Sequence, residues 1–192
     1  KRILTYDLML ELAAAAREPY GGAVLFPGAT GARPAEIFPR LYEDLDRENM
    51  RIRIATTAYK GVIEHGTKTD HGRVESQQGR WSILTPELLA YIEAAPRSVT
   101  GLLWPTPMGK LWRYDNFMRD VWRPARVRAG LTDVTIYDLR HSFISLMQEA
   151  NVPIADLAAT TGHERISTLQ DTYTHALGRS FGQMRAVFDG FR

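Results

Sequence analysis

Apolar residues recur at helical spacing over much of the chain. In the first such stretch Leu4, Leu8 and Leu12 share one face, which predicts a helix over residues 5–17 with Thr5 as its N-cap. The same spacing predicts further helices at residues 86–95, 114–129, 138–150, 153–160, 166–176 and 180–190.

Two proline residues mark interruptions in the N-terminal part of this pattern. Residues 23–26 are apolar and are expected to end in a turn at Pro27-Gly28. Pro34 stands where a first helical residue is expected, because its fixed φ suits that position and its missing N–H is not needed there. A short helix over residues 34–40 is therefore predicted.

Alternating apolar and polar residues predict three strands between these helical regions. They lie at residues 50–54, 62–65 and 81–84, with turn-forming residues at 70–72 between the last two. The expected fold is α+β and mostly helical, with a small three-stranded antiparallel sheet packed beside a helical core. Because the sequence has no repeat and no linker-like segment, residues 1–192 are expected to form one domain.

The composition excludes several classes of protein. The 192 residues are 44% hydrophobic and 24% charged, which is typical of a globular domain. The sequence has no Cys, which excludes disulfides, cysteine nucleophiles and thiolate zinc sites. Its apolar stretches are far shorter than the roughly 20 residues that cross a bilayer, so we expect a soluble, cytoplasmic protein without a membrane partner.

Basic charge is concentrated in one segment of the chain. The formal net charge is only +2, but 20 of the 24 basic residues are Arg, whose planar guanidinium suits phosphate oxygens. The most basic segment contains Lys110, Arg113, Arg119, Arg123, Arg126 and Arg128. This segment is either a solvated helix face or a surface for nucleic acid.

A P-loop and a metal site are both disfavoured by the sequence. Residues 61–69 nearly match a P-loop, but the Lys comes one residue late and a turn follows where a helix is needed. His163, Asp171 and His175 are possible metal ligands, yet only the last two lie one helical turn apart. No metal or other cofactor is therefore predicted.

Two arginines lie near predicted helix N-termini. Arg33 directly precedes one helix, and Arg140 follows a helix start that Thr135 or Asp138 can cap. A cation there is disfavoured by about 0.3 to 1 kcal/mol unless an anion is near, and free N–H groups with a guanidinium form a phosphate cradle. The alternative is that Arg33 pairs with Glu36 and Arg140 with Asp138.

Three further residues combine reactive chemistry with an ordinary structural interpretation. His163 follows Gly162, which ends a predicted helix. Tyr173 shares a helix face with apolar residues, as a core tyrosine would. Lys68 lies at a predicted hairpin tip, where a solvated cation is the ordinary expectation.

Four segments together resemble the tyrosine recombinase (phage integrase) family. In chain order they resemble its first arginine box, second arginine box, glycine–histidine box and nucleophile box: residues 30–36 (TGARPAE), 137–143 (YDLRHSF), 161–163 (TGH) and 168–175 (TLQDTYTH). Lys68 falls where the family keeps a hairpin lysine. The resemblance covers residues 4–177 and departs from the family pattern at Tyr137, where the second box usually has His.

The resemblance implies that the protein cuts and rejoins DNA strands in site-specific recombination. The family forms a covalent 3′-phosphotyrosine, here at Tyr173, without metal or nucleotide cofactor. A phosphodiester gathers negative charge when an oxygen attacks it, and Arg33 and Arg140 can hold its two non-bridging oxygens. Glu36 would orient Arg33.

The remaining family positions imply roles in proton transfer and positioning. Lys68 is a plausible general acid for the leaving 5′ oxygen, and His163 adds a hydrogen bond to the phosphate or assists proton transfer. Tyr137 is assigned a positioning role only, because a phenol is a poor base at neutral pH. His141, beside Arg140, is expected to support the site.

The resemblance also implies partners. Double-stranded DNA is the expected substrate, with backbone contacts from Lys110, Arg113, Arg119 and Arg123. The apolar stripe of the tail, residues 178–192, either packs on its own domain or docks on a neighbouring protomer within a DNA-bound homotetramer. The family's N-terminal core-binding domain is not visible in this sequence.

Two alternative functions stay open at this point. A type IB topoisomerase-like enzyme would use the same chemistry to relax supercoiled DNA without site preference. A DNA-binding regulator that has lost catalysis would keep the surface and not the reaction, and the departure at Tyr137 is the sequence feature that suggests it.

Overall fold

The computed structural model describes residues 2–65 and 79–163 of the chain. The predicted helices 166–176 and 180–190 lie outside these ranges, as do Lys68, Tyr173 and the tail. Within the described ranges, every helix is too short or too polar to cross a membrane.

Two N-terminal helices begin the fold. Helix α1 (Tyr6–Ala14) starts as predicted, because Oγ1 of Thr5 accepts a hydrogen bond from the backbone N of Leu8 at 3.3 Å. Helix α2 (Gly21–Thr30) is buried at every position. It is followed by Gly31, whose φ of 69° ends the helix in the left-handed region.

The predicted turn at Pro27-Gly28 is wrong, because α2 continues through both residues. A Cβ at Gly28 would collide with Sδ of Met9 in α1, so this glycine permits the two helices to approach closely. Burial of the whole helix outweighs the one hydrogen bond that Pro27 cannot donate.

The short helix predicted at residues 34–40 is also wrong in extent. Only Pro34–Glu36 forms a 3₁₀ turn, with Pro34 in its first position as expected. Pro39 lies where the helix would continue, and a proline there has no N–H to donate. A second 3₁₀ turn, Tyr42–Asp44, follows.

The expected three-stranded antiparallel sheet is confirmed, with one strand different. It consists of β1 (Leu45–Asp46), β2 (Arg51–Ile54) and β5 (Arg80–Ile83), in the order β1-β2-β5. The predicted strand at residues 62–65 exists as β4 (Val62–His65), but it pairs with β3 (Thr56–Tyr59) in a separate two-stranded ladder.

The β3–β4 hairpin depends on a two-residue turn. Lys60 and Gly61 both have positive φ, at 49° and 84°, which is typical of the type I′ turn that joins twisted strands. Tyr59 and Val62 are directly paired across the turn. Lys-Gly is a weaker turn signal than Asn-Gly, and β3 is mostly polar, so the hairpin was not predicted.

The helices between residues 86 and 161 match the sequence pattern. Helices α3 (Pro86–Ala94), α6 (Ile136–Glu149) and α7 (Ile154–Thr161) confirm their predictions to within about two residues. The predicted helix 114–129 is α4 (Tyr114–Phe117), a π turn (Met118–Trp122) and α5 (Arg123–Arg128) in succession. The π turn ends two residues before Pro124, whose ring would otherwise clash with the preceding turn.

Packing on α2 organises the core and places the C-terminal ends of two helices beside a third. Helix α2 contacts α1, α3 and α6, and its fully buried Phe26 packs edge-on against the fully buried Trp104, with the ring centroids 5.4 Å apart. A second cluster joins α7 to α6 through Phe143, Ile144, Leu157 and Ala158. As a result, the C-terminal ends of α2 and α7 lie beside α6.

Candidate active site

Three arginines from distant parts of the chain converge on the ends of α2 and α7. Arg140 in α6 donates hydrogen bonds to the carbonyl of Gly31 and, at 2.9 Å, to that of Thr161. Arg33 donates to the carbonyl of Gly162 at 2.6 Å. Arg80, at the start of β5, extends this group from the sheet. The structure thus brings together the two arginines that the sequence singled out and adds a third.

Glu36 is a fully buried carboxylate among these cations. Its two oxygens accept hydrogen bonds from the two Nη atoms of Arg80 at 2.9 and 2.7 Å. It also accepts from the backbone N of Arg33 at 2.6 Å and from that guanidinium at 3.2 Å. Burial alone would raise the pKa of Glu36, but Arg80 and then Arg33 outweigh it and hold the pKa below its ordinary value.

The pairing expected as the alternative for Arg33 is therefore present. The Glu36 interaction does not remove Arg33 from the site, because the same guanidinium reaches Gly162. For the second arginine box, Thr135 is the N-cap of α6, and the carboxylate of Asp138 accepts from the N and Oγ1 of Thr135 at 2.9 and 2.7 Å. Asp138 thus completes a capping box with Thr135.

His163 is held as a neutral imidazole by its hydrogen bonds. The hydroxyl of Thr161 donates its one proton to the carbonyl of Leu157 at 2.6 Å. Nδ1 of His163, at 2.7 Å from the same hydroxyl oxygen, must then donate, which leaves Nε2 to accept from Nη2 of Arg140 at 3.3 Å.

The electrostatics of the site agree with this assignment. Burial, and then the charges of Arg140, Arg33 and Arg80, lower the pKa of His163 from 6.5 to about 4, with a smaller contribution from His141. An anion bound among the arginines would offset their charge and raise this pKa again.

Acid is expected to destabilise the fold partly through His163. The folded site resists a proton that the unfolded chain accepts. The stability that the neutral His163 contributes is therefore fully present above pH 6.5 and is lost as the pH falls through about 4. Thermal unfolding of the wild type and of His163→Gln should be compared from neutral pH to pH 4. We expect the wild type to lose more stability on acidification, and parallel curves would contradict this assignment.

Tyr137 and His141 lie one helical turn apart at the N-terminal end of α6. Tyr137 is 53% exposed. Both residues line an open cavity of about 780 Å³ together with Arg2, Asp133, Thr135 and Asp138. Burial, and then the neighbouring phenol of Tyr137, raise the pKa of Tyr114, so the two tyrosines lie near each other.

The basic segment contains cations in three kinds of environment. Lys110, Arg113 and Arg123 are exposed. Arg119 is exposed too, but it makes a two-pronged ion pair with Asp120 at 2.6 and 2.8 Å. The last two cations bind carbonyl groups: those of Thr132 and Val134 for Arg126, and that of Ala15 for Arg128.

Arg80 is a site residue that the sequence pattern did not single out. The available signal was its register in β5, because side chains two positions apart face the same side of a strand. Arg80 is in phase with the buried Ser82 and Leu84, and its own side chain is only 11% exposed. An arginine at a buried strand position requires a buried acceptor, which Glu36 provides.

Neither the predicted nucleophile Tyr173 nor the predicted general acid Lys68 lies in the described ranges. Asp171 and His175, two of the three possible metal ligands, lie outside them as well. Within residues 2–65 and 79–163, no group of three or more His, Cys, Asp or Glu side chains is placed to hold a metal ion.

Comparison with known proteins relates the chain to integrases. The family model described as "Phage integrase family" matches residues 3–179. The chain is 37% identical over 70 residues to the integrase of Salmonella phage P22. That alignment covers 36% of this chain and 17% of the phage protein.

Solved recombinase structures share the fold. An integrase of the Tn1549 transposon, in complex with transposon right end DNA, superposes with a TM-score of 0.74 at 18% identity, covering 97% of this chain and 66% of that one. The XerA recombinase superposes with a TM-score of 0.71 at 18% identity, covering 96% of this chain and 64% of that one. The catalytic domain of bacteriophage HP1 integrase gives 0.56 at 20% identity, covering 91% and 87%.

The family match runs through the segments that meet at the ends of α2 and α7, namely both arginine boxes and the glycine–histidine box. The fold agrees with it over nearly the whole chain. This protein therefore belongs to the phage integrase family.

Proposed function

We propose that this chain carries out the strand cutting and rejoining of site-specific DNA recombination through a covalent 3′-phosphotyrosine. The observation that carries the proposal is the charge of the site. Arg33 and Arg80 bind the carboxylate of Glu36, and Arg140 contacts a neutral His163, so these five groups carry a net charge of about +2. A phosphodiester monoanion attacked by a phenolate carries two negative charges, which this site balances.

In the proposed reaction the phenolic oxygen of Tyr173 bonds to the phosphorus and the bond to the 5′ oxygen breaks. The phenol loses one proton and the leaving oxygen gains one, so no net proton is consumed. Lys68 is the proposed donor to the leaving oxygen. Because the phosphate ester bond is retained in the intermediate, a second DNA 5′ hydroxyl can reverse the step and exchange strands without an external energy source.

The arginines are proposed to hold the scissile phosphate. Within the described part of the chain, the side-chain hydrogen bonds of Arg33 use two of its five N–H donors, and its side chain is 22% exposed. A phosphate placed between Arg33 and Arg140 would also lie beside His163. Binding would then raise the pKa of His163 and allow its Nε2 to donate to a phosphate oxygen.

A library experiment tests this function. The chain is incubated with nicked duplexes of random sequence, and the covalently trapped ends are sequenced. We expect trapped ends that share a sequence. Relaxation of any supercoiled plasmid without site preference would favour the topoisomerase alternative, and specific binding without any covalent product would favour the regulator.

Exposed cations of the basic segment are proposed to bind the DNA backbone. A cation that binds one phosphate adds about 0.9 to the slope of log affinity against log salt, so Arg113→Ala and Arg123→Ala should each reduce that slope by roughly one. Arg119→Ala is the matched control, because Asp120 already offsets that charge. Its slope should change by less than half as much. If all three variants keep the wild-type slope, the proposal that these cations bind the DNA backbone is wrong.

The Tn1549 integrase structure is described as a DNA complex, which supports double-stranded DNA as the partner of this chain. A homotetramer on DNA, tail docking between protomers and a cytoplasmic location stay predictions.

A further inference from the structure

We propose that Arg80 is a positioning residue of this site, which neutralises Glu36 so that the charge of Arg33 stays available for a phosphate. This inference rests on the proposed function and deepens it. Arg80 lies outside the arginine boxes and the glycine–histidine box, so the proposal adds a residue of β5 to the site.

Arg80 holds Glu36 more completely than Arg33 does. Its two Nη atoms engage both carboxylate oxygens at 2.9 and 2.7 Å, in the two-pronged geometry that makes arginine–carboxylate pairs strong. The guanidinium of Arg33 reaches only one of these oxygens, at 3.2 Å. The carboxylate charge is therefore compensated mainly by Arg80.

The same guanidinium supports the segment that carries His163. Nε of Arg80 donates to the carbonyl of Thr160 at 2.8 Å. Its plane packs against Gly162, where a Cβ would lie 3.2 Å from Cζ of Arg80. All three nitrogens of Arg80 are thus bonded inside the site, and its side chain links the 3₁₀ turn after Arg33 to the end of α7.

Without Arg80, the buried carboxylate would have Arg33 as its nearest cation. Glu36 is fully buried, and an uncompensated charge there is costly, so Arg33 would be drawn into full pairing with it. The guanidinium would then turn toward Glu36 and away from a phosphate. Arg80 prevents this competition.

Gly79 fixes the start of β5 and therefore the position of Arg80. Its φ is 72°, and a Cβ there would lie 2.5 Å from Cα of Ala55.

A charge-removal experiment separates this role from simple structural support. Arg80→Met should lower the rate of covalent adduct formation on a nicked duplex by about 10²-fold, as expected when a preorganised site loses its alignment. In the double variant Arg80→Met/Glu36→Gln, the carboxylate that captures Arg33 is gone, and the rate should recover by about tenfold or more over Arg80→Met alone. Arg80→Lys, which keeps the charge without the fork, should be intermediate.

The control is Arg53→Met, because Arg53 on the neighbouring strand β2 likewise pairs with an acid of a 3₁₀ turn, Asp44, at 3.2 Å. Its rate should stay within about twofold of the wild type, because Arg53 pairs with Asp44 rather than with Glu36, and the buried Asp44 keeps Arg40 as a second cation at 3.6 Å. Rates are expressed per folded molecule, and if Arg80→Met does not fold, Arg80→Lys with and without Glu36→Gln replaces it. A double variant no faster than its parent would overturn the inference.

Failure of the proposed function gives a different result. In that case the wild type itself forms no adduct, and the inference is then decided by affinity for the nicked duplex. Arg80→Met should weaken this binding and Glu36→Gln in the same chain should restore it. Equal affinities of the single and double variants would overturn the role of Arg80.

Discussion

Replacing Arg140 with alanine is expected to lower the rate of covalent adduct formation by about 10³-fold, because loss of one preorganised donor alone costs about 10² to 10³ in rate. Arg140 is only 6% exposed, and its guanidinium donates hydrogen bonds to the carbonyls of Gly31 and Thr161. The substitution would also leave Nε2 of His163 without this donor. The rate is measured with a nicked duplex that traps the adduct.

Two controls separate catalysis from folding in this prediction. Arg126 also donates to two backbone carbonyls, those of Thr132 and Val134, but at the end of α5. Arg126→Ala should therefore reduce stability without a comparable loss of rate per folded molecule. Arg140→Lys keeps the charge but lacks the planar fork, and it should remain at least tenfold slower than the wild type. An Arg140→Ala protein that folds and cleaves normally would contradict the proposed phosphate site.

Tyr173→Phe is expected to abolish the covalent adduct, with a loss of about 10⁴-fold or more, because phenylalanine has no oxygen to attack the phosphorus. DNA affinity should stay within about twofold, since backbone contacts come from other residues. Adduct formation and binding are measured on the same nicked duplex.

Tyr137→Phe is the matched control for Tyr173→Phe. It removes a phenolic oxygen at the N-terminal end of α6, where Tyr137 is assigned a positioning role. We expect less than about a tenfold loss of rate, as is usual for one hydrogen bond outside the reacting atoms. A Tyr173→Phe protein that still forms the adduct would refute the assigned nucleophile.

The sequence was sufficient for the parts of the fold that depend on local patterns. Thr5 caps α1 as predicted, Thr135 is the N-cap of α6 among the two candidates, and the helix periods located α3, α6 and α7. The arginine pair was found because Arg33 and Arg140 lie near helix starts, in segments that resemble a family.

Features that depend on distant partners were not predictable in this way. Pro27 lies inside a helix because α2 is buried on all sides, which a local turn rule ignores. The strand β3 is recognisable only through its partner β4. Arg80 acquires its role from Glu36, 44 positions away in the sequence. The helix through Pro27 and the role of Arg80 depend on residues distant in the sequence, whereas β3 was missed because its polar composition and the Lys-Gly turn are weak local signals.

The identity of the residue bonded to DNA is the most direct test of this account. A nicked duplex is incubated with the wild-type chain, the trapped complex is digested, and the modified peptide is sequenced by mass spectrometry. We expect a 3′-phosphonucleotide on Tyr173. A nucleotide attached to any other side chain, such as Tyr137 or Tyr114, would contradict the proposed mechanism.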